Sequence, residues 1–527
     1  MNDAPSALAT SAQGPRPGRG EGHAGPLVLP DDAYNRALVS NVRPPDWANP
    51  EPAGRYNLVV LGAGTAGLVT AAGAAALGAK VALVERHLLG GDCLNVGCVP
   101  SKCVIRSSRV LGDLRDAADL GIRVRGEVAA DFPAVMERMR KIRSRISRHD
   151  GAARFRDLGV DVFFGEARFA GPDRVEVGGK TLRFRKAAIA TGARAASPGI
   201  EGIAEAGFLT NETVFSLTEL PRRLAVIGGG PIGCELAQAF RRLGSEVVLF
   251  HNKGHLLDRE DADAAGIVQR AFQKEGIRLV LDCRTKKVTR TPQGKAILFG
   301  CGGREETVVV DEILAGAGRQ PNVEGLGLEA AGVAYDPRAG VKVNDCLRTT
   351  NPRIYAAGDV CMAWKFTHAA DAAARIVIQN ALFLGRKRLS ALTMPWATFT
   401  DPEIAHVGLY ERDAKEKGIE IETFVRRFDD VDRAIADGEE EGFVKVHVRK
   451  GTDEILGATI VARHAGETIG ELTLAIVAKI GLKSLSGVVH PYPTQAEAIK
   501  QAADAYNRTR LTPAARKAFT RWFSWTR

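Results

Sequence analysis

The amino-acid sequence predicts an α/β protein with two Rossmann-like units followed by a C-terminal α+β region. The first observation is the glycine pattern Gly62-x-Gly64-x-x-Gly67, which directly follows the apolar run 58–61. The second is that the pattern recurs after a shift of 166 residues, again behind an apolar run. The repeated positions are Gly228, Gly230 and Gly233. Two copies in register, each followed by a helical stretch and a second apolar run, indicate two dinucleotide-binding units in one chain.

The glycines of each pattern have separate physical roles. The first permits a tight turn, the second lets the backbone approach a pyrophosphate, and the third lets helix and strand pack closely. The helix N-terminus then faces the phosphates, where its dipole favours negative charge. An acid at the end of the next strand can bind both ribose hydroxyls, and Glu85 has that position in the first unit. Its counterpart in the second unit is His251.

Two cysteines follow the first glycine pattern closely. Cys93 and Cys98 are separated by four residues, and Lys102 follows the second of them. A dithiol beside a dinucleotide site indicates electron transfer between a ring cofactor and sulfur. Zinc fits less well and no metal site is predicted, because zinc usually takes Cys-x2-Cys with two further ligands and no second pair exists. The other cysteines are interpreted as small hydrophobic residues: Cys103, Cys234, Cys283, Cys301, Cys346 and Cys361.

The Cys-x4-Cys-x3-Lys motif resembles the redox motif of the flavoprotein disulfide reductases, which include lipoamide dehydrogenase, glutathione reductase and mercuric reductase. The resemblance covers nearly all of residues 55–505 and implies FAD in the first unit and a nicotinamide coenzyme in the second. It implies a reducible Cys93–Cys98 disulfide, with Cys98 against the flavin and Cys93, nearer solvent, exchanging with substrate. Lys102 is implied to lie near the flavin and to pair with Glu235.

Further segments are assigned to the cofactors by the same resemblance. Asp359 is expected to bind the ribityl chain of FAD, where the chain returns to the flavin site. The expected cofactor-binding residues outside the two glycine patterns are Glu85, Thr191, Gly192, His251, Lys253, Gly318, Arg319, Gly358 and Asp359. NADPH is predicted, because His251 and Lys253 could accept a 2′-phosphate that a carboxylate would repel. NADH is kept as the alternative, since NADPH enzymes of this family often carry Ala at the position of Gly233.

The predicted domain organisation places the nicotinamide unit between two halves of the flavin unit. The boundaries are 1–54 for a Pro/Gly-rich arm, 55–198 and 334–393 for the FAD-binding domain, 199–333 for the NAD(P)-binding domain, 394–510 for a dimerisation domain, and 511–527 for an aromatic and basic tail. The arm contains nine of the 24 prolines and is expected to be extended or disordered, with Trp47 docking locally. In the dimerisation domain, the runs 443–448 and 455–461 are predicted strands.

Composition and charge exclude several classes of protein. Hydrophobic residues make up 45% and charged residues 25% of the 527, which is ordinary for a globular chain. The basic cluster 138–148 has apolar residues at helical spacing, so it is interpreted as the solvated face of an amphipathic helix, and no nucleic-acid partner is expected. The N-terminus lacks a secretory h-region, and most cysteines are scattered singly. A cytoplasmic protein with one catalytic disulfide is therefore predicted.

One C-terminal segment departs from the pattern of the disulfide-reducing members. These carry a His-Pro-Thr-x-x-Glu motif that acts across the dimer interface, and the aligned segment here runs from Tyr492 to Glu497. A phenol, with a pKa of about 10, is a poor general base at neutral pH. Tyrosine at this position resembles mercuric reductase, whose substrate is a soft cation bound by thiolates. His490, two residues earlier, is interpreted as structural, and a catalytic role for it is the alternative.

The function predicted from the sequence is that of a homodimeric, FAD-dependent NAD(P)H oxidoreductase similar to mercuric reductase, acting on Hg(II) or a thiol/disulfide substrate. No cysteine follows Cys361, so the vicinal cysteine pair typical of mercuric reductases is missing, and so is their N-terminal metal-binding module. One alternative is a dihydrolipoyl dehydrogenase-like disulfide reductase with His490 as base. Another is a flavin redox sensor or quinone-directed electron carrier. The aromatic tail around Trp522 is expected to dock on the partner subunit rather than on a membrane.

Overall fold

The computed structural model describes residues 28–527, and its N-terminal third is organised around one mixed β-sheet. The strands of this third are β1 (Arg55–Leu61), β2 (Val81–Glu85), β3 (Val160–Phe164), β4 (Ala167–Gly171), β5 (Arg174–Val177), β6 (Lys180–Ile189) and β7 (Ala193–Ala195). The helices are α1 (Ala33–Val42), α2 (Thr65–Ala76), α3 (Gly91–Asn95), α4 (Cys98–Arg115), α5 (Phe132–Ile146) and α6 (Ala152–Asp157). The strand order is β3-β2-β1-β6-β5-β4, with β1, β2, β3 and β6 parallel. Strands β1 and β2 are buried along most of their length, as expected for parallel strands covered on both faces.

The middle of the chain forms a second, smaller parallel sheet and an antiparallel one. Its strands are β8 (Arg223–Ile227), β9 (Glu246–Phe250), β10 (Arg278–Val280), β11 (Arg284–Thr291), β12 (Gly294–Cys301), β13 (Arg304–Val310), β14 (Glu312–Ala315), β15 (Arg319–Pro321), β16 (Tyr335–Asp336), β17 (Gly340–Val341) and β18 (Ile354–Ala356). Its helices are α7 (Ile203–Ala206), α8 (Pro231–Leu243) and α9 (Ala262–Lys274). The parallel order is β10-β9-β8-β14, and β11-β12-β13 form the antiparallel sheet. Strand β18 pairs with β6, so the chain returns to the first sheet.

The two parallel sheets repeat the same local register. Leu58 of β1 lies opposite Val81 of β2, and Leu224 of β8 lies opposite Val247 of β9, which is the same pair shifted by 166 residues. Each first strand passes through a glycine turn into the helix that packs on the sheet. The two Rossmann-like units predicted from the sequence are therefore present.

The C-terminal region packs helices against a five-stranded antiparallel sheet, in agreement with the predicted α+β architecture. Its strands are β19 (Pro395–Thr398), β20 (Glu403–Gly408), β21 (Ile421–Arg427), β22 (Phe443–Arg449) and β23 (Ile455–Ala462), in the order β19-β20-β23-β22-β21. The helices that precede, join and follow them are α10 (Thr367–Leu382), α11 (Glu411–Glu416), α12 (Asp432–Asp437), α13 (Ala465–Val477), α14 (Leu482–Leu485), α15 (Glu497–Thr509) and α16 (Pro513–Trp525). In residues 28–527, single 3-10 turns occur at Ser147–Asp150, Val214–Ser216, Leu389–Ala391 and Phe428–Asp430. Strands β22 and β23 coincide with the two runs predicted from the sequence.

The described part of the N-terminal arm is ordered against the first unit, which corrects the expectation of an extended or disordered segment. Helix α1 buries Leu38 and Val42 completely. Trp47 docks as predicted, with its Nε1 donating to the carbonyl of Val162 at 3.1 Å and its ring edge against Phe164. The portion of the arm before residue 28 lies outside the described residues.

The basic cluster 138–148 is only partly the solvated helix face that the sequence predicts. Two of its arginines are buried and hold α1 in place. Arg140 and Arg143 of α5 are buried. Arg140 bonds Asp32, the N-cap of α1, and Arg143 Nη2 donates to Asn35 Oδ1 at 2.7 Å. Because these partners lie more than 100 residues apart in sequence, no local pattern indicates the contact.

Two cysteines that the sequence interprets as separate hydrophobic residues are joined. Cys283 and Cys301 form a disulfide, with their Cα atoms 4.7 Å apart. They flank the antiparallel pair β11 and β12, in which Arg284 lies opposite Gly300. Cross-strand register therefore brings them together, although 18 residues separate them in sequence.

Helix α16 is exposed along its whole length. None of its side chains is buried, and Phe519, Trp522 and Phe523 are each more than half exposed. Within residues 28–527, no helix combines the length and the apolar composition needed to cross a membrane.

Candidate functional site

The first glycine pattern forms the tight connection between β1 and α2 that a dinucleotide site requires. Gly62 has a positive φ of 96°, and a Cβ at Gly67 would overlap the carbonyl oxygen of Gly62. Helix α2 begins after Gly64 without a side-chain cap. Its first backbone N–H groups are therefore available to a phosphate, and the residues present fit the pyrophosphate of FAD.

Glu85 is fixed at the carboxyl end of β2 by two backbone donors. Its Oε2 accepts the N–H of Ala63 at 2.7 Å, and its Oε1 accepts the N–H of His87 at 2.8 Å. Burial raises the pKa of Glu85, and these hydrogen bonds oppose that rise. The carboxylate has the position from which an acid binds ribose hydroxyls in such units.

The second glycine pattern has the same backbone geometry as the first. Gly228 has a positive φ of 117°, and a Cβ at Gly233 would overlap the carbonyl oxygen of Gly228. Helix α8 begins after Gly230, also without a side-chain cap. This turn therefore fits a second pyrophosphate, that of the nicotinamide coenzyme.

His251 occupies the place in the second unit that Glu85 has in the first. Its Nδ1 accepts the N–H of Gly229 at 3.2 Å, so the ring proton lies on Nε2. Burial lowers the pKa of His251, and the ring is therefore neutral at neutral pH. The role of His251 toward a 2′-phosphate stays a prediction. Lys253, exposed in the following loop, is the remaining cation of the predicted pair.

The cysteines of the redox motif lie on either side of the break between α3 and α4. Both are free thiols, and the Cys93 thiol hydrogen-bonds the sulfur of Cys98. The two cysteines are therefore reduced and in contact with each other. The bond from Cys93 lowers the pKa of Cys98 to about 6, and the Thr367 hydroxyl, 3.4 Å away, and the charge of Lys102 act in the same direction. The bond to Cys98 and burial raise the pKa of Cys93.

Cys98, the cysteine that the family resemblance assigns to the flavin, is the more exposed of the two in the single chain, and the exchange of Cys93 with substrate stays a prediction. Cys93 is half-buried within α3, whereas Cys98 is the first residue of α4. It faces a cavity of about 380 Å³ that is also lined by Lys102, Arg106 and Arg138. The thiolate of the pair therefore has cations nearby.

Lys102 and Glu235 form the ion pair that the sequence predicts. Lys102 Nζ lies 2.7 Å from Glu235 Oε2, and the Glu235 side chain is only 5% exposed. The other oxygen of Glu235 accepts the N–H of Phe399 at 2.9 Å, and Lys102 Nζ lies 4.5 Å from the centre of the Phe399 ring. One buried carboxylate thus connects α4, α8 and the start of the C-terminal region.

Arg319 joins the expected flavin-binding carboxylate to the redox loop. Its Nε lies 3.1 Å from Asp359 Oδ2, and its Nη2 contacts the carboxylate of Asp92, the neighbour of Cys93. Burial raises the pKa of Asp359, and the charge of Arg319 opposes that rise. Gly318 precedes Arg319 at the start of β15, and Gly358 precedes Asp359 in the turn after β18.

Thr191 and Gly192 are held to the segment after β15 by Asn322. Thr191 Oγ1 donates to the carbonyl of Asn322 at 2.8 Å, and Asn322 Nδ2 donates to the carbonyl of Thr191 at 2.9 Å. The Asn322 N–H also donates to the carbonyl of Gly192 at 3.0 Å. The end of β6 is therefore tied to the segment that carries Arg319.

The C-terminal residues predicted to be catalytic do not contact the redox loop of their own chain. Tyr492 is 71% exposed, and its hydroxyl donates to Asp432 at 2.9 Å, a bond that raises the pKa of Tyr492. His490 Nε2 lies 3.1 Å from the carboxylate of Glu471, and Glu497 is the first residue of α15. In residues 28–527, no hydrogen bond or ion pair joins Tyr492, His490 or Glu497 to Cys93 or Cys98.

Two contacts to the redox loop have no signal in the sequence. Thr367 bonds Cys98 from the first turn of α10. Arg143 Nη1 donates to the carbonyl of Asn95, midway between the two cysteines, at 2.6 Å. Both partners come from distant parts of the chain, and neither belongs to a recognisable motif. The described residues contain no cluster of three or more His, Cys, Asp or Glu side chains arranged to hold a metal ion.

Two family models match the chain. The model described as pyridine nucleotide-disulphide oxidoreductase matches residues 56–374. The model of the corresponding dimerisation domain matches residues 394–503. The matched segments contain both glycine patterns, the redox loop and the segment from Tyr492 to Glu497.

Individual relatives cover most of the chain. A mercuric reductase from Staphylococcus aureus is 36% identical over 455 residues, covering 86% of this chain and 83% of the relative. A dihydrolipoyl dehydrogenase from Thermus scotoductus is 34% identical, covering 86% of this chain and 98% of the relative. Among solved structures, the HOCl-induced flavoprotein disulfide reductase RclA from Escherichia coli matches with a TM-score of 0.76 and 26% identity, covering 85% of this chain and 99% of that one.

Proposed function

The chain belongs to the pyridine nucleotide-disulphide oxidoreductase family, and from that premise we propose that it is an NADPH-dependent reductase of a soft metal ion, Hg(II). Members of the family are oxidoreductases that use FAD and NAD(P)H. The observation that carries the choice of acceptor is the combination of the Cys93–Cys98 dithiol with a tyrosine, Tyr492, at the position of the acid–base histidine.

Different residues of the chain have different roles in the proposed reaction. The two glycine turns hold the dinucleotides, and FAD, when bound, supplies two-electron transfer between the nicotinamide coenzyme and sulfur. Lys102 places positive charge near the Cys98 thiolate, and buried Glu235 fixes the position of that charge. Asp359 and Arg319 connect the expected flavin-binding segment to the redox loop.

A soft cation suits this dithiol better than a substrate that needs a proton relay. The lowered pKa of Cys98 favours its thiolate at neutral pH, and Cys93 loses its thiol proton to solvent when its sulfur binds the metal. The two electrons that reduce Hg(II) to Hg(0) would come from the nicotinamide coenzyme, and the metal would leave both sulfurs without a change in their oxidation state. No step requires a general base at position 492. In the proposed homodimer, Tyr492 and Glu497 of the partner subunit complete the site.

The homodimer is supported by the matched dimerisation domain and by the surface of the C-terminal region. Leu474, Val477 and Val489 are 64%, 61% and 91% exposed in the single chain. Large apolar side chains exposed together mark an interaction surface. The proposal also places the enzyme in the cytoplasm, in agreement with the scattered cysteines, and cell fractionation tests that location.

NADPH is the proposed coenzyme, but fewer charged residues support this choice than the sequence indicated. A neutral His251 does not attract a 2′-phosphate by charge, but it does not repel one as a carboxylate would. Lys253 supplies the cation. Steady-state kinetics with both coenzymes test this assignment, and a clear preference for NADH contradicts it.

A disulfide-reducing function is the second candidate, and one contact favours it. His490 pairs with Glu471 at 3.1 Å, an arrangement that orients an imidazole for acid–base chemistry. This candidate predicts rapid lipoamide turnover that collapses in His490→Ala and survives Tyr492→Phe.

The deciding experiment is a coenzyme-oxidation screen of the FAD-loaded protein. Hg(II) with excess thiol, lipoamide, glutathione disulfide and a quinone serve as acceptors in parallel. We expect Hg(II) to give the largest turnover, and we expect Cys93→Ser to abolish it. Cys346→Ser is the matched control, because Cys346 is a free thiol outside the redox loop. Lipoamide turnover above that of Hg(II) contradicts the proposal, and fast quinone turnover alone supports an electron carrier instead.

A further inference from the structure

The Cys283–Cys301 disulfide is a second sulfur pair that the proposed reaction does not use. It lies in the nicotinamide unit, where the chain passes from β10 of the parallel sheet into β11 of the antiparallel sheet. Cys283 follows β10, and Cys301 ends β12. Because Arg284 of β11 pairs with Gly300 of β12, the bond joins the beginning of β11 to the end of β12, the central strand of the antiparallel sheet.

The segment that carries Cys283 also holds the coenzyme loop by its main chain. Residues 280–283 make three backbone hydrogen bonds to residues 251–253. The Asp282 N–H donates to the carbonyl of Lys253 at 2.9 Å, and the Cys283 N–H donates to the carbonyl of His251 at 3.4 Å. The His251 N–H in turn donates to the carbonyl of Val280 at 2.9 Å. The 251–253 loop, which the family resemblance assigns to the adenosine end of the coenzyme, is thus bonded to the chain next to the disulfide.

This segment needs outside support to keep its conformation. Asp282 has a positive φ of 52°, a left-handed conformation that is uncommon for residues other than glycine. Such a residue keeps its conformation when its surroundings fix it. The covalent bond from Cys283 to β12 is the strongest constraint on the neighbouring residue.

The two sulfurs differ in access. Cys283 is buried, whereas Cys301 is half-buried and precedes the exposed hairpin turn Gly302–Gly303. Arg304 lies opposite Cys301 in the β12–β13 register and is exposed. An attacking thiolate can therefore reach Cys301 from the hairpin tip, with a cation beside its path.

We propose that Cys283–Cys301 is a thiol–disulfide exchange site for a small dithiol, and that its redox state sets the affinity of the second unit for the nicotinamide coenzyme. One thiolate of the dithiol attacks Cys301 Sγ, the bond to Cys283 breaks, and Cys283 takes a proton. The second thiol of the dithiol then displaces Cys301, which also becomes a thiol. Two electrons and two protons pass to the protein, and the dithiol closes to its own disulfide.

The coupling follows from ordering of the loop. With the bond intact, residues 280–283 are anchored, and the 251–253 loop is ordered before coenzyme binds. With the bond broken, coenzyme binding must also order residues 280–283 and the 251–253 loop, which reduces the net free energy of binding. Coupling between linked sites commonly amounts to about fivefold or more in affinity, so we expect a change of at least about that size.

The test uses the full-length, FAD-loaded chain with Cys93→Ser and Cys98→Ser, in which the catalytic pair no longer responds to dithiol. Calorimetry measures the dissociation constants of NADP⁺ and NAD⁺ before and after treatment with dithiothreitol. Mass spectrometry after alkylation follows the state of Cys283 and Cys301. We expect both to resist alkylation before reduction, and affinity to fall at least about fivefold after it.

Two variants make the test independent of reduction. The double variant Cys283→Ser/Cys301→Ser should bind the nicotinamide coenzyme weakly whether or not dithiol is added. Cys346→Ser should keep the coenzyme affinity of the oxidised protein. Equal affinity in the bonded and reduced forms contradicts the proposal, and so does alkylation of both cysteines in the oxidised protein. Coenzyme binding is measured without an acceptor, so a failure of Hg(II) reduction leaves this inference standing.

Discussion

Lys102 Nζ and Glu235 Oε2 lie 2.7 Å apart, and the two residues act on the Cys98 thiol in opposite directions. The cation of Lys102 lowers the pKa of Cys98, whereas the carboxylate of Glu235 raises it. The hydrogen bond from Cys93 lowers the pKa of Cys98 most, and the two halves of this ion pair adjust that pKa further in opposite directions.

We expect substitutions in this pair to shift the pKa of Cys98 to opposite sides of its value of about 6. Lys102→Met should raise that pKa by on the order of one unit, and Glu235→Gln should lower it. Thiolate absorbance of the reduced protein, measured against pH, gives the shift directly. Shifts in the same direction for both variants would show that the ion pair acts through structure rather than through charge.

The Thr367 hydroxyl gives a second, independent prediction about the same sulfur. Its hydrogen bond favours the Cys98 thiolate, so Thr367→Val should raise the pKa of Cys98 by about one unit, the size of one hydrogen bond to a charged group. Alkylation of Cys98 at pH 6, followed by peptide mass spectrometry, should slow accordingly. Thr367→Ser keeps the hydroxyl and is the matched control; an equal loss in both variants would count against the hydrogen bond.

Position 492 is expected to decide which acceptors are turned over. Tyr492→His places an imidazole where the partner subunit would offer a proton relay, so lipoamide turnover should rise by at least about tenfold. Hg(II) turnover should change much less, because the thiolates bind the metal without that relay. Kinetics of both acceptors with Tyr492→Phe as control check this, and unchanged lipoamide turnover would argue against a completed site across the dimer.

Coenzyme choice should depend on the residue at the end of β9. His251→Glu would reproduce in the second unit the contact that Glu85 makes with Ala63 in the first. The carboxylate would bind ribose hydroxyls and repel a 2′-phosphate, so the ratio of kcat/KM for NADPH to that for NADH should fall at least about tenfold. His251→Gln, which adds no charge, should leave the ratio within a few-fold. A similar fall in both variants would indicate loop damage rather than electrostatics.

Local sequence predicted the elements whose geometry is imposed locally. The two glycine turns admit no Cβ at Gly67 or Gly233, so the repeat could be identified from spacing alone. The same is true of the redox motif, because Cys93 lies in the short helix α3 and Cys98 is the first residue of α4.

The features that could not be predicted from the sequence depend on contacts between distant parts of the chain. Helix α1 depends on arginines about 100 residues away, and Thr367 reaches Cys98 across 269 positions. The protonation of His251 likewise depends on burial and on the donor at Gly229, neither of which the residue type discloses.

The contacts of Arg143 have a practical consequence for anyone who shortens the chain. A polypeptide begun at β1 would keep every recognisable motif but lose Asn35, the side-chain acceptor of this buried guanidinium. An unsatisfied buried donor costs about 1–3 kcal/mol, and the same guanidinium supports the Asn95 carbonyl between the cysteines. The trimmed enzyme should therefore melt earlier and lose flavin more readily, and the leading helix belongs with the catalytic body in any expression design.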